Sequence, residues 1–248
     1  MRARVSIVIP AYNEGAQIED VLGRLSEAVT LPCEVVVVVD SPDDSTVPYV
    51  QKYAAADPRV RVVVNDLEPG PAQAIRYGFE RAEAGVVVVT MADGCDDPQQ
   101  IDPLARLVER GVVIAAASRY SRGGQQVGGP FLKGLLSRTA GLSLWILARV
   151  GTRDATNSFK AYDADFVRRV GIASSAGFEI GIELVAKARR ARLPVAELPT
   201  IWLERHQGMS NFRLMTWFPH YLRWWRFAFG PRLEVDDIRQ APRWSGHK

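Results

Sequence analysis

Three carboxylates, Asp93, Asp96 and Asp97, fall inside the stretch Thr90-Met91-Ala92-Asp93-Gly94-Cys95-Asp96-Asp97-Pro98. Like charges at that spacing repel one another unless solvent or a cation intervenes. A divalent ion bridging carboxylate and diphosphate oxygens would relieve the repulsion and activate a leaving diphosphate. The plainer alternative is a solvated acidic loop in which Asp97 caps a helical turn opened by Pro98. We expect capping at Asp97 and metal binding at Asp93.

Two further turns have residue types suited to a nucleotide. Ile9-Pro10-Ala11-Tyr12-Asn13-Glu14 closes the first apolar run, and Asp40-Ser41-Pro42-Asp43-Asp44-Ser45 closes the second. No G-x-G-x-x-G follows the first run, so a dinucleotide reading has no support. Spacing alone favours an ordinary first turn, with Asn13 capping the next helix. Asp44 and Ser45 read as caps in the second. Asp40 leaves an apolar run directly and is the better placed to hold ribose hydroxyls or a base edge.

These turns need elements to hold them. Val5–Pro10, Glu34–Asp40, Val60–Asn65, Val86–Ala92 and Val112–Ser118 read as strands. Their near-continuous hydrophobicity predicts a parallel sheet covered on both faces. Helical patterns lie between them, over Ala16–Val29, Ser45–Ala56, Pro71–Ala84 and Gln99–Arg110. In the last, Ile101, Leu104, Leu107 and Val108 share one face. Strand–helix alternation predicts an α/β fold with right-handed crossovers and ligands at the carboxyl ends of the strands. Ser121 to Pro130 reads as a Gly-rich loop, either a lid over a ligand or a connector. Phe131 to Val150 reads as an amphipathic helix, Asn157 to Leu203 as a strand–helix–strand unit, and Thr216 to Phe229 as an aromatic helix.

The chain has 248 residues, 47% of them hydrophobic and 24% charged, with a net charge of +3. That composition fits a globular protein with a core and does not by itself imply nucleic acid; no nucleic-acid-binding motif is present. Cys33 and Cys95 lack metal-ligand spacing and suit a reducing cytosol. Met1 to Arg4 runs directly into the first strand, so no leader is expected. The longest uncharged run, Thr139 to Ala148, is too short to cross a bilayer.

Taken in order, V-S-I-V-I-P-A-Y-N-E, V-V-D-S-P-D-D-S-T, the G-x-x-x-A-I-R-x-G-F of Gly70–Phe79, M-A-D and Ser118-Arg119-Tyr120 resemble the family 2 glycosyltransferases of GT-A fold. The branch they resemble is that of the polyprenyl-phosphate sugar synthases, which includes dolichol-phosphate mannose synthase. The resemblance runs from about Val5 to Phe212. It implies a mostly parallel central sheet flanked by helices, and division into a GT-A domain over 1–212, an aromatic amphipathic helix over 213–230 and a polar tail over 231–248. It also implies a nucleotide-sugar donor held by Pro10, Ala11, Tyr12, Glu14, Asp40, Ala92 and Asp93, with Mg²⁺ or Mn²⁺ on Asp93. Arg119 and Asp154 are implied at the catalytic centre, and Arg119, Arg205 and Ser210 at an acceptor phosphate.

Three positions depart from the family pattern. Met91 stands where many members carry the first Asp of Asp-x-Asp, and Cys95 where some carry a Gln metal ligand, so Asp96 or Asp97 would have to complete the metal's set. Asn211 stands where a lysine often follows the R-x-x-G-x-S element.

The expected reaction is transfer of a sugar from GDP-mannose or a UDP-sugar to polyprenyl or dolichyl phosphate, with inversion. A phosphate acceptor is already a nucleophile; a hydroxyl acceptor would need a base, for which Asp154 and Glu179 are the candidates. The aromatic segment Trp217 to Phe229, interleaved with Arg223 and Arg226, could dock on the domain, and its Trp density favours a membrane surface. The enzyme would then be cytoplasmic and peripheral on the cytoplasmic face. The alternatives are a soluble hydroxyl acceptor, a catalytically degenerate sugar-nucleotide-binding module, and a sugar nucleotidyltransferase. The last lacks a Gly-rich phosphate loop after the first strand.

Overall fold

The computed structural model describes residues 3–129, 131–204 and 214–239. Its first half winds β1 (Val5–Pro10), α1 (Gln17–Ala28), β2 (Cys33–Val39), α2 (Val47–Ala56), β3 (Val60–Val64), α3 (Pro71–Arg81), β4 (Val86–Val89), α4 (Ile101–Glu109) and β5 (Ile114–Ser118). Then follow β6 (Gln125–Val127), α5 (Phe131–Ser143), β7 (Lys160–Asp163), α6 (Ala164–Val170), α7 (Ile180–Ala191), β8 (Val195–Pro199), β9 (Ile201–Leu203), α8 (Leu214–Ala228) and α9 (Val235–Arg239).

The central sheet runs β3-β2-β1-β4-β7-β5-β8. β1 to β4 are mutually parallel, as are β5 and β8, and β7 lies antiparallel between β4 and β5. This is the α/β architecture expected, a mostly parallel sheet with helices on both faces. The valine-rich strands are buried because both faces are covered. Val5, Ile7 and Ile9 of β1 pack in one layer with Ile18 and Leu22 of α1 and Leu104 of α4. Val8 points the other way, into a layer with Ala74 and Tyr77 of α3. Gly78 permits that second layer, since a Cβ there would stand 2.2 Å from Val8 Cγ1.

The second half differs from the sequence reading in four places. The Gly-rich loop contains β6, which pairs in parallel with β9. The Phe131–Val150 helix stops at Ser143 and passes into a π-helical turn, Leu144–Ala148, which ends at Arg149 in the left-handed region. Asn157 to Leu203 holds two helices and three strands. The aromatic helix α8 packs into the core: Trp224 and Ala228 are buried with Ile182, Val185 and Ala186 of α7. Trp224 Nε1 donates to Ser174 Oγ at 3.0 Å, and Trp225 Nε1 donates to Ser143 Oγ at 2.9 Å. Much of the Trp density that suggested a lipid surface is therefore spent on packing and on satisfying indole N–H groups.

Candidate active site

The carboxyl ends of β1 and β2 are sewn to each other. Asn13 sits in the left-handed region, at φ 55°, a conformation asparagine tolerates. Its N–H donates to Asp44 Oδ2 at 2.9 Å, and its Oδ1 accepts from Ser45 N at 3.3 Å. Glu14 N donates to Thr46 Oγ1 at 3.0 Å, and Thr46 N donates to Asp44 Oδ1 at 2.8 Å. Asn13 thus does not cap α1, whose N-cap position is Ala16 with no side-chain bond. The long-range tie to the second turn outcompetes the local cap. Pro10 and Ala11 are buried, Glu14 is half-buried, and Tyr12 is 61% exposed at the rim. Asp40 accepts from Asn65 Nδ2 at 2.9 Å and from Gly70 N at 2.8 Å, which fixes the start of α3 beside this rim. Each of its oxygens retains acceptor capacity for a ligand hydroxyl.

The three carboxylates after β4 take three different roles. Asp97 caps the turn Pro98–Gln100, its Oδ1 accepting from Gln99 N at 3.1 Å. Asp96 is buried, its Oδ2 accepting from Thr90 Oγ1 at 3.0 Å and Met91 N at 3.2 Å. Burial, and after it the charge of Asp93, pushes its carboxyl up to about 7. Asp93 is half-buried beside the buried Ala92, and its Oδ1 accepts from Cys95 N at 3.0 Å. Among the described residues no three His, Cys, Asp or Glu side chains converge on one point. Asp97 is thus engaged as a cap, as its place before Pro98 predicts. Asp96 lies close enough to feel the charge of Asp93, and a pair of carboxylates in that relation is a fitting place for a divalent ion. Asp93 can supply one ligand, and substrate phosphates and water the rest, the coordination Mg²⁺-type sites commonly use.

The same loop is clamped by a residue the sequence reading missed. Arg24 of α1 donates from Nη1 to Gly94 O at 2.6 Å and from Nη2 to Asp96 O at 3.3 Å. Nothing near Arg24 in the chain signals this, because its partners lie 70 and 72 residues away.

At the end of β5, Arg119 and Asp154 form a buried pair. Arg119 Nε donates to Asp154 Oδ2 at 2.8 Å, Nη2 to Oδ1 at 2.9 Å, and the backbone N–H to Oδ2 at 3.0 Å. Asp154 is 0% exposed. Burial opposes the charge on Arg119, but Asp154 overrides it and holds the guanidinium above its ordinary range. Nη2 also donates to Ser137 Oγ at 3.2 Å, and Ser137 Oγ shares a 2.6 Å bond with Thr156 Oγ1. Among the described residues these bonds engage Nε and Nη2, which leaves the Nη1 hydrogens for an anion. Ser137 was not among the expected site residues; its only sequence signal is a place on a helix face.

Lys160 lies directly behind. It is wholly buried and donates to the carbonyls of Ala155 and Asn157. Burial drops its ammonium to about 7 even though Asp154 acts to raise it. Gly181 lets α7 approach this loop, since a Cβ there would stand 2.9 Å from Asn157 O. Glu179 is 1% exposed, its Oε1 accepting from Ala176 N at 3.0 Å. Arg205 and Ser210 lie outside the described residues.

Comparison with known proteins supplies the context. The family described as glycosyl transferase family 2 matches residues 6–171. A polyprenol monophosphomannose synthase of Mycolicibacterium smegmatis is 30% identical over 214 residues, which is 84% of this chain and 80% of the relative. A dolichol-phosphate mannosyltransferase of Pyrococcus furiosus is 32% identical over 227 residues, which is 89% of this chain but 62% of that longer protein. Among solved structures, glucosyl-3-phosphoglycerate synthase of Mycobacterium tuberculosis, with Mn²⁺, UDP-glucose and phosphoglyceric acid, superposes with a TM-score of 0.70. It is 18% identical and covers 93% of this chain and 81% of that one, a likeness of fold.

Proposed function

The chain belongs to glycosyl transferase family 2, and from that premise we propose that it transfers mannose from GDP-mannose to a polyprenyl phosphate, with inversion at the anomeric carbon. The observation that carries this reading is the commitment of Asp154 to Arg119. A hydroxyl acceptor needs a base to take its proton. Asp154 has both oxygens engaged and is 0% exposed, and Glu179, the other candidate base, is 1% exposed. An acceptor that is already an anion needs neither. The mannosyl phospholipid names of the two relatives support the same class of acceptor.

In this reading the rim of Tyr12, Glu14 and Asp40 holds the nucleoside. Asp93 would hold a divalent cation, Mn²⁺ or Mg²⁺, against the donor diphosphate. When bound, that ion stabilises the negative charge of the departing nucleoside diphosphate. Arg119 presents Nη1 to the acceptor phosphate, its position fixed by Asp154 and Ser137. A phosphate oxygen forms the new bond to the anomeric carbon as the bond from that carbon to the diphosphate breaks. The electron pair leaves with the diphosphate, and no proton need move. Arg205 and Ser210 are proposed as further phosphate contacts. The enzyme would work from the cytoplasmic side, at the membrane that contains its acceptor; among the described residues no helix is long and apolar enough to cross it.

The test is an organic-phase transfer assay. Purified protein, Mn²⁺ or Mg²⁺ and polyprenyl phosphate are mixed with labelled GDP-mannose, and in parallel with UDP-glucose. Metal-dependent mannose label in the lipid phase is expected. Donor hydrolysis without lipid label would overturn the acceptor, and label from UDP-glucose alone would overturn the donor.

A further inference from the structure

Resting on the reading of Arg119 as the ligand of the acceptor phosphate, we infer that Lys160 is a positioning residue for that anion. Its ammonium holds the loop that aims Arg119 and adds a second positive charge to the site. Every residue of the loop 154–157 is engaged. Asp154 holds the guanidinium, Thr156 Oγ1 shares its bond with Ser137 Oγ, and Asn157 Nδ2 donates to Ala117 O of β5 at 2.9 Å. The carbonyls of Ala155 and Asn157 both accept from Lys160 Nζ. Lys160 is itself fixed in the sheet, at the start of β7 between Val89 of β4 and Ala116 of β5. Gly181 lets α7 close over the ammonium, since a Cβ there would stand 3.3 Å from Nζ.

Carbonyls alone do not call for a buried cation. A neutral donor could bond them, whereas taking an ammonium out of water is costly. Lys160 is 0% exposed, and among the described residues it bonds carbonyls only. Of the charged groups that act on it, Asp154 comes first, Arg119 second and Asp96 last. Asp154 is already paired with Arg119, so Lys160 has no carboxylate of its own among the described residues. Two cations thus share Asp154, and the surplus positive charge favours an anion at Arg119. Burial drops the ammonium to about 7, with Asp154 and Asp96 acting to raise it and Arg119 to lower it. The affinity that Lys160 lends to an anion is therefore present below about pH 7, where it is charged, and lost above.

The experiment is calorimetric binding of farnesyl phosphate, a short soluble prenyl phosphate, to the full chain with Mn²⁺ and GDP. Wild type and Lys160→Met are compared on either side of pH 7, always above the second ionisation of a phosphate monoester at about 6. Transfer to polyprenyl phosphate is measured beside it. Methionine has a similar length and no charge, so packing is kept. A charge about 10 Å from a buried anion is worth on the order of tenfold in affinity, so Lys160→Met should bind about tenfold more weakly below pH 7. Its affinity for GDP should be unchanged. Wild-type affinity for farnesyl phosphate should fall as pH rises through about 7, and Lys160→Met should lack that step. A merely structural role would move GDP binding too and leave the step in place. If Lys160→Met does not fold, the wild-type step still decides, joined by Gly181→Ala, whose methyl crowds Nζ and should weaken prenyl-phosphate binding selectively. No wild-type binding, no step near pH 7, or a Lys160→Met variant that binds as the wild type does would each overturn the inference. Lys160-dependent binding without transfer would remove the proposed reaction alone; transfer with binding indifferent to Lys160 would remove the positioning role alone.

Discussion

Asp154→Asn separates two roles for a carboxylate at the centre of this site, acting on the substrate or holding Arg119. The side chain receives two guanidinium bonds, at 2.8 and 2.9 Å, and one backbone N–H at 3.0 Å, all at 0% exposure. Removing one partner of a buried ion pair costs about 3–5 kcal/mol. Asparagine retains part of the hydrogen bonding, so the lower end, about 3 kcal/mol, applies. For a chain of this length each kcal/mol moves the melting temperature by about 2–4 °C, giving a fall of about 6–12 °C. An Arg119 released by about 1 Å should lose on the order of 100-fold in kcat/KM for a phosphate acceptor. Calorimetry and transfer kinetics on Asp154→Asn, Arg119→Gln and the double variant close a thermodynamic cycle. The expected coupling lies within about 0.5–3 kcal/mol, toward its upper end, because the two groups act as a unit. If Asp154→Asn lost turnover with an unchanged melting temperature and an additive cycle, the positioning argument would fail, and Asp154 would be acting on substrate.

Three further outcomes are expected. Asp93→Ala should abolish metal-dependent transfer while leaving the fold intact. It should also lower the pKa of Asp96 in the metal-free protein, because the charge of Asp93 helps raise it, a shift visible by carbon NMR of the carboxyl. Asp96 holds its proton in the fold up to about pH 7, whereas the unfolded chain releases it near the ordinary aspartate value of 3.8. Its contribution to stability is therefore full below the lower value and is lost as pH rises through the higher one. Asp96→Asn, which stays neutral, should flatten that part of the profile in denaturant titrations with chelator present. Gly78→Ala gains about 1 kcal/mol of helix propensity but drives a methyl to 2.2 Å from Val8 Cγ1 in a packed layer. Overpacking costs about 1–3 kcal/mol, so a net loss of up to about 2 kcal/mol is expected by urea denaturation.

Local patterns in the sequence were enough for the first half of the fold. Val5–Pro10 and Val60–Val64 are strands because continuous β-branched runs need two covered faces, and α4 forms where Ile101, Leu104 and Val108 repeat at helical spacing. Capping at Asp97 was legible for the same reason, since carboxylate, Pro98 and Gln99 are neighbours in the chain. The antiparallel β7 was not legible, because Lys160–Asp163 gains its direction from Val86–Val89 and Ile114–Ala116, distant in sequence. Nor was the fate of the aromatic helix: composition gives the number of tryptophans, but only packing against α7 decides which of them meet water.

The same division runs through the site. The sequence by itself determined the family, the strand ends that carry the candidate site, and the residue types available there, because these are written in contiguous motifs. Tertiary structure decided what each residue is free to do. Asp154 became the partner of Arg119, Asp96 a buried acid, Arg24 a clamp on a loop 70 residues away, and Asn13 a tie between turns instead of a cap. A carboxylate's chemistry depends on which donors reach it and how much water remains, and both are set by contacts between segments that the linear order keeps apart.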